Sequence, residues 1–152
     1  AQLKSGEHVL DLYGGVGLFT AAIIEAVGPA GHVDLIEGSK VATADAARNF
    51  ANNPNVTIAT GDVAKLLPRI TAADVVVLDP PRDGAGKEAI AQIARLAPRS
   101  VVYVACDPAA LARDTAYLAD HSYSLSQIRA FDLFPMTHHI ECVALYTRAE
   151  VS

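Results

Sequence analysis

Five times in succession a short apolar run closed by turn residues gives way to an alanine-rich stretch, and few folds accept that order. The runs are HVLDLY (8–13), HVDLIE (32–37), VTIATG (56–61), DVVVLD (74–79) and SVVYVA (100–105). Helices are predicted near 17–27, 39–51, 62–69, 85–97 and 108–120, each rich in strong helix formers. A parallel strand pair needs a crossover of this length, and a parallel sheet is covered on both faces. The end of the chain departs from the pattern. YSLSQIRAFDLF (123–134) and HIECVALYTR (139–148) follow one another with only the region around Pro135, Met136 and Thr137 between them, which predicts an antiparallel pair. The expectation is an α/β fold of one domain over 1–152, its seven-stranded, mostly parallel sheet ending in a β-hairpin.

The chain has 152 residues, of which 51% are hydrophobic and 19% charged, enough to bury a core without staples. Two cysteines, Cys106 and Cys142, are too few for a disulfide framework, and no apolar run approaches a membrane span, so the cytoplasm is the expected compartment. A formal net charge of −5 is a poor match to a chain that grips a polyanion by its own summed charge. Five βα units followed by a hairpin is also the element order of the Rossmann-like class I methyltransferase sheet; a dinucleotide-binding domain usually continues with parallel strands.

The stretch VLDLYGGVGLFT places Gly14, Gly15 and Gly17 directly after the first strand, where backbone can approach a ligand and a helix can open. The dinucleotide fingerprint requires a small residue at the position of Thr20, and here an acid, Asp11, precedes the glycines instead. That combination favours S-adenosylmethionine, which is cationic at its sulfonium and amino groups, over a pyrophosphate. Glu37 closes the second strand where a carboxylate accepts from ribose hydroxyls, and Asp62 follows the third. The competing reading of both is a helix N-terminal acid; Asp62 is balanced between the two, while the glycine loop favours the ligand role for Glu37. Tyr13 is either core filler or a ring flanking the adenosine.

The fourth strand runs into LDPPRDGAG, where two prolines enforce a rigid extended turn. Amino-group methyltransferases close a related tetrad with an aromatic that stacks on the base; Arg82 stands there instead, which argues against an exocyclic amine as target. Asp79 is placed to contact cofactor or a base edge. Arg82 is placed to contact phosphate, or to pair with Asp83 or Asp107. In VYVACDPAAL, Asp107 is a good N-cap and Pro108 suits the first helical position, so Cys106 lies beside a helix N-terminus whose dipole favours thiolate. A buried structural cysteine is the competing reading, and this stretch alone does not separate the two. Methylating C5 of a pyrimidine requires a thiol to add at C6 and a base to remove the C5 proton. Glu141, alone between Ile140 and Cys142 in an apolar strand, is the candidate base; the competing reading pairs it with Arg113 or Arg129. His138 is a candidate substrate-positioning residue. No metal-ligand spacing is apparent, so no metal is expected.

Together LDLYGGVGLF, LDPPRDGAG, VYVACDPAALARD and FDLFPMTHHIECVAL resemble the RNA uracil-5-methyltransferases, which make 5-methyluridine in transfer and ribosomal RNA. The resemblance implies Cys106 as the nucleophile at uracil C6, Glu141 as the base at C5, and Tyr13, Glu37 and Asp79 as S-adenosylmethionine contacts. Three features depart from the family. Many members read Tyr-Cys-Gly and Cys-Asn-Pro where this chain has Tyr13-Gly14-Gly15 and Cys106-Asp107-Pro108, and Leu18 replaces a frequent polar contact. The family's RNA-binding barrel, central domain and Phe-x-Gln stretch are not in this sequence, so RNA is expected to be gripped through domains outside it. Methyl transfer to a protein or small molecule, and cofactor binding without turnover, remain open at this stage.

Overall fold

Short apolar, β-branched runs drive the sheet, the central ones buried on both faces, and the computed structural model describes residues 1–132 and 140–149. The elements are β1 (His8–Leu12), α1 (Leu18–Val27), β2 (His32–Glu37), α2 (Lys40–Asn49), β3 (Val56–Thr60), α3 (Val63–Leu66) with a 3-10 turn at Leu67–Arg69, β4 (Val75–Leu78), α4 (Gly86–Arg95), β5 (Ser100–Ala105), α5 (Pro108–Asp120), β6 (Tyr123–Phe131) and β7 (Glu141–Arg148). All seven strands form one sheet in the order β3-β2-β1-β4-β5-β7-β6. The first five pair in parallel, while β7 enters antiparallel between β5 and β6. The sequence expectation of a parallel sheet closed by an antiparallel hairpin therefore holds, with strand ends within a residue or two; the 123–134 run is paired from Tyr123 to Phe131, and its residues 133 and 134 lie outside the described ones.

Two apolar layers hold the sheet. Leu10, Leu12, Ile36, Val76, Leu78, Tyr103 and Tyr146 face α3, α4 and α5 in the larger one. Val9, Val33, Val75 and Val77 face α1 in the smaller one. On that second face Val102, Val104 and Val143 are only half-buried and line a groove. The order of strands reverses direction of travel between β1 and β4, and an open α/β sheet leaves a crevice beyond the carboxyl ends of its strands at that point. Among the described residues no helix is long and apolar enough to cross a membrane.

Candidate active site

The loop after β1 is built by packing as much as by a ligand. A Cβ on Gly14 would lie 2.7 Å from Leu35 Cγ, and one on Gly17 would lie 2.3 Å from Phe50 Cε2, so both glycines are required by their neighbours. Gly15 differs. It has φ +56 with open space where a side chain would go, and its N–H donates to Glu37 Oε2 at 3.1 Å. Glu37 Oε1 accepts from Ser39 N at 2.7 Å, so the carboxylate is held at the mouth of the glycine turn.

Tyr13, Glu37, Gly38, Gly61, Asp62, Asp79 and Pro81 line a cleft of about 400 Å³ over the carboxyl ends of β1 to β4. Tyr13 adopts φ 60, a left-handed conformation that a non-glycine side chain enters at a cost and that clusters at ligand sites. Burial first, then the charges of Asp62 and Asp114, push its hydroxyl up to about 12, so it acts as a neutral group. Asp62 caps α3 by accepting from Lys65 N at 3.0 Å, which is the helix N-terminal reading of that acid, and it also lines the cleft. Among the described residues three carboxylates and no basic side chain line this space. That donor set repels phosphate and suits a ligand with hydroxyls and positive charge, which fits S-adenosylmethionine and not a dinucleotide.

Asp11 lies beneath the cleft rather than in it. Its side chain is fully buried, Oδ2 accepts from Thr20 Oγ1 at 2.6 Å, and Oδ1 has no hydrogen-bond partner among the described residues. Burial raises its carboxyl to about 6, with Asp79 and Glu37 adding to the rise and Thr20 opposing it. A direct ligand contact through Asp11 is therefore replaced by support of the glycine loop, against whose Gly14 it packs.

A second cavity of about 740 Å³ adjoins the first, lined by Val77, Asp79, Val102, Val104, Cys106 and Glu141 among others. Among the described residues Asp79 is the one common to both linings. Burial first and the charge of Glu141 second raise its carboxyl above the ordinary range. Cys106 is a free, half-buried thiol immediately after β5, and Asp107 caps α5 by accepting from Ala110 N at 2.8 Å with Pro108 behind it, as predicted. The last β5–β7 pair is Ala105 with Cys142, so Cys106 and Glu141 each adjoin the end of that ladder, and both line this cavity. Cys142 is buried in the core.

Arg113 does not pair with Glu141. Its guanidinium donates to Asp114 Oδ1 at 3.0 and 2.8 Å and to the Asp83 carbonyl at 2.6 Å. Asp114 is fully buried, and its Oδ2 accepts from Tyr103 Oη at 2.7 Å, Ala85 N at 2.8 Å and Gly86 N at 3.2 Å. This carboxylate thereby anchors the turn that carries Pro80, Pro81 and Arg82. Sequence reading missed it, although an acid sharing the buried stripe of α5 with Ala110, Leu111 and Leu118 was the available signal. Arg82 is exposed on that turn, and His138 lies outside the described residues.

Residues 67–149 match the family model described as tRNA (Uracil-5-)-methyltransferase. The chain belongs to that family. Residues 1–102 also match the model of the methyltransferase small domain. Among relatives of this uracil-5-methyltransferase family member, a protein of Streptomyces avermitilis described as an uncharacterized RNA methyltransferase is 52% identical over 144 residues, which is 93% of this chain and 33% of that protein. A Thermotoga maritima protein described in the same words is 38% identical over 151 residues, 97% of this chain and 34% of its own length. The chain thus spans about a third of the length of these relatives. Among solved structures, the Pyrococcus abyssi tRNA (uracil-54, C5)-methyltransferase in complex with S-adenosyl-L-homocysteine superposes with a TM-score of 0.81 at 32% identity, over 95% of this chain and 35% of that one. The Aeropyrum pernix fibrillarin in complex with S-adenosyl-L-methionine, with a TM-score of 0.77 at 16% identity over 95% of this chain and 68% of its own, shares the fold. The fold is the class I methyltransferase fold expected from the element order.

Proposed function

We propose that the chain is the catalytic domain of an S-adenosylmethionine-dependent RNA methyltransferase that methylates C5 of a uridine. The observation that carries this reading is the shared wall: Asp79 borders the acidic cleft on one side and the groove with Cys106 and Glu141 on the other. A cofactor in the first space and a base in the second meet at that residue. The Pyrococcus abyssi relative, titled for C5 of a tRNA uracil and crystallised with S-adenosyl-L-homocysteine, supports the same ligand and atom here.

Glu37, Asp62, Tyr13 and the Gly15 turn would hold the cofactor, whose contribution is an electrophilic methyl group on a sulfonium. Cys106 acts on the base. Its sulfur adds to uracil C6, the C5–C6 π electrons move toward C5 and O4, and C5 becomes nucleophilic enough to take the methyl group. Glu141 then removes the C5 proton, and the returning electron pair re-forms the C5–C6 double bond and expels the Cys106 thiolate. Asp79, beside Glu141, orients cofactor or base at the junction. A duplex or folded RNA presents this face of uracil only when the base leaves its stack. The surfaces that grip RNA are proposed to lie in the parent protein outside these residues, consistent with the chain's net charge of −5.

The test uses the full-length parent protein and uridine-containing RNA. Replacing Cys106 by Ala should abolish both turnover and the covalent protein–RNA adduct; methylation by that variant would overturn the assignment. Glu141→Gln should accumulate methylated RNA attached to the protein, and normal release would remove Glu141 as the base. A methyl group found on N or O of the product would point to another substrate class. Calorimetry of the 152-residue chain with S-adenosylmethionine separates cofactor binding from turnover.

A further inference from the structure

The sheet edge opposite the cleft holds a second cluster of chemistry-bearing side chains, from the opening residues of β1 and β2. In the parallel ladder His8 pairs with His32 and Leu10 with Asp34, and residues two apart on a strand share a face. His8, His32 and Asp34 therefore project together. His8 Nε2 lies 2.7 Å from Asp34 Oδ2, and His32 Nε2 lies 3.3 Å from Asp34 Oδ1. One nitrogen from each imidazole and one carboxylate oxygen all fall within 4.8 Å of one another. On β3, Thr57 pairs with Asp34 and brings its Oγ1 to 3.1 Å from His32 Nε2. Each of the three is half-buried, so the group is both constrained and open to solvent.

We propose that His8, His32 and Asp34 form a binding site for one divalent transition-metal ion of the zinc type, which staples β1 to β2. Two imidazoles and a carboxylate are borderline ligands that suit zinc, nickel or copper and disfavour calcium and magnesium. A tetrahedral ion with bonds of about 2.0–2.1 Å holds its ligand atoms roughly 3.4 Å apart, so the three side chains, whose ligand atoms already lie within 4.8 Å of one another, need only a small adjustment to close on it. Binding takes the Nε2 lone pair of each imidazole, so the ring proton that Nε2 otherwise donates to Asp34 sits on Nδ1 in the bound state. Water takes the fourth position, with the Thr57 hydroxyl beside it. The site is invisible to a search for ligand spacing because His8 and Asp34 are 26 residues apart and meet only through strand pairing. It is independent of the methyl-transfer assignment, since it lies at the other end of the strands.

Zinc chloride titrated into the purified chain by calorimetry, alongside nitrogen-15 spectra of the imidazoles, tests it. The expected result is one ion bound, movement of both the His8 and His32 Nε2 signals, and affinity lower by at least about tenfold in His8→Asn and in His32→Asn. Saturating zinc at about 100 times the dissociation constant should raise the melting temperature by roughly 5–10 °C. Cobalt in place of zinc should show a nitrogen–oxygen ligand spectrum without thiolate charge transfer, which separates this site from Cys106 and Cys142. Absence of movement at either imidazole in the wild-type protein up to millimolar zinc would overturn the proposal and leave a hydrogen-bonded His-Asp-His group. Undiminished affinity in the double variant would overturn it equally.

Discussion

Asp114→Ala tests whether one buried carboxylate holds the reaction-site turn in place. In the wild type Asp114 Oδ2 accepts three hydrogen bonds, from the Tyr103 hydroxyl and the amides of Ala85 and Gly86. Alanine leaves all three donors without that acceptor. An unmade buried hydrogen bond costs about 1–3 kcal/mol, and the two amides border a turn where water can return, so the lower end applies to them. Tyr103, 1% exposed, bears the higher cost. The sum is about 3–5 kcal/mol, comparable with breaking a buried charge network from one side. With a urea m-value of about 2 kcal/mol/M, the midpoint should fall by roughly 2 M at unchanged m. Urea unfolding followed by circular dichroism reads both quantities. Tyr103→Phe removes one donor to Asp114 and the secondary acceptor of Ala85 N at 3.1 Å, and should cost about 1 kcal/mol, since both amides keep Asp114 as acceptor. A midpoint shift below roughly 0.5 M for Asp114→Ala would refute the anchoring role.

Three further outcomes follow from the same site. Asp11 has a carboxyl raised from 3.8 to about 6 on folding, so the folded state holds its proton more tightly. Stability should therefore fall as pH rises between about 4 and 6, by at most about 3 kcal/mol, and the penalty is complete above that window. Asp11→Asn should abolish this slope in urea midpoints measured from pH 4 to 7; an unchanged slope would assign it to other groups. Gly17→Ala places a Cβ 2.3 Å from the Phe50 ring at φ +93, and should cost about 2–4 kcal/mol from overpacking and left-handed strain. Thermal unfolding checks it, and a melting temperature within 1–2 °C of wild type would mean that Phe50 moves aside without cost. Glu37→Gln keeps an acceptor for Gly15 N but removes the charge at the turn, so calorimetry should show S-adenosylmethionine binding weakened about tenfold or more. Unaltered affinity would place the ligand elsewhere in the cleft.

How much was legible follows from how local each feature is. Strand and helix boundaries were readable because apolar periodicity, helix formers and the Asp107-Pro108 start act within a few residues, and α5 begins at Pro108 as expected. The hairpin was readable from two strands with no helix between them. The residue types of the site were readable too, since a thiol, three acids and a glycine turn fall at strand ends whatever their neighbours are.

Neighbour relations were not readable. Gly14 and Gly17 are set by Leu35 and Phe50, Asp11 lies buried under the glycine loop where a cofactor contact was expected of it, and Arg113 pairs with Asp114 rather than Glu141. Each depends on contacts across strand pairing and helix docking, where geometry, not sequence distance, decides which charge meets which. The sequence by itself therefore determined the order of elements and the chemistry available at their ends. Only the tertiary structure decided that Asp79 borders two cavities, that Cys106 and Glu141 line one of them, and that His8, His32 and Asp34 meet at the opposite end of the strands. Residues far apart in the chain come within hydrogen-bonding reach only once the sheet fixes their register.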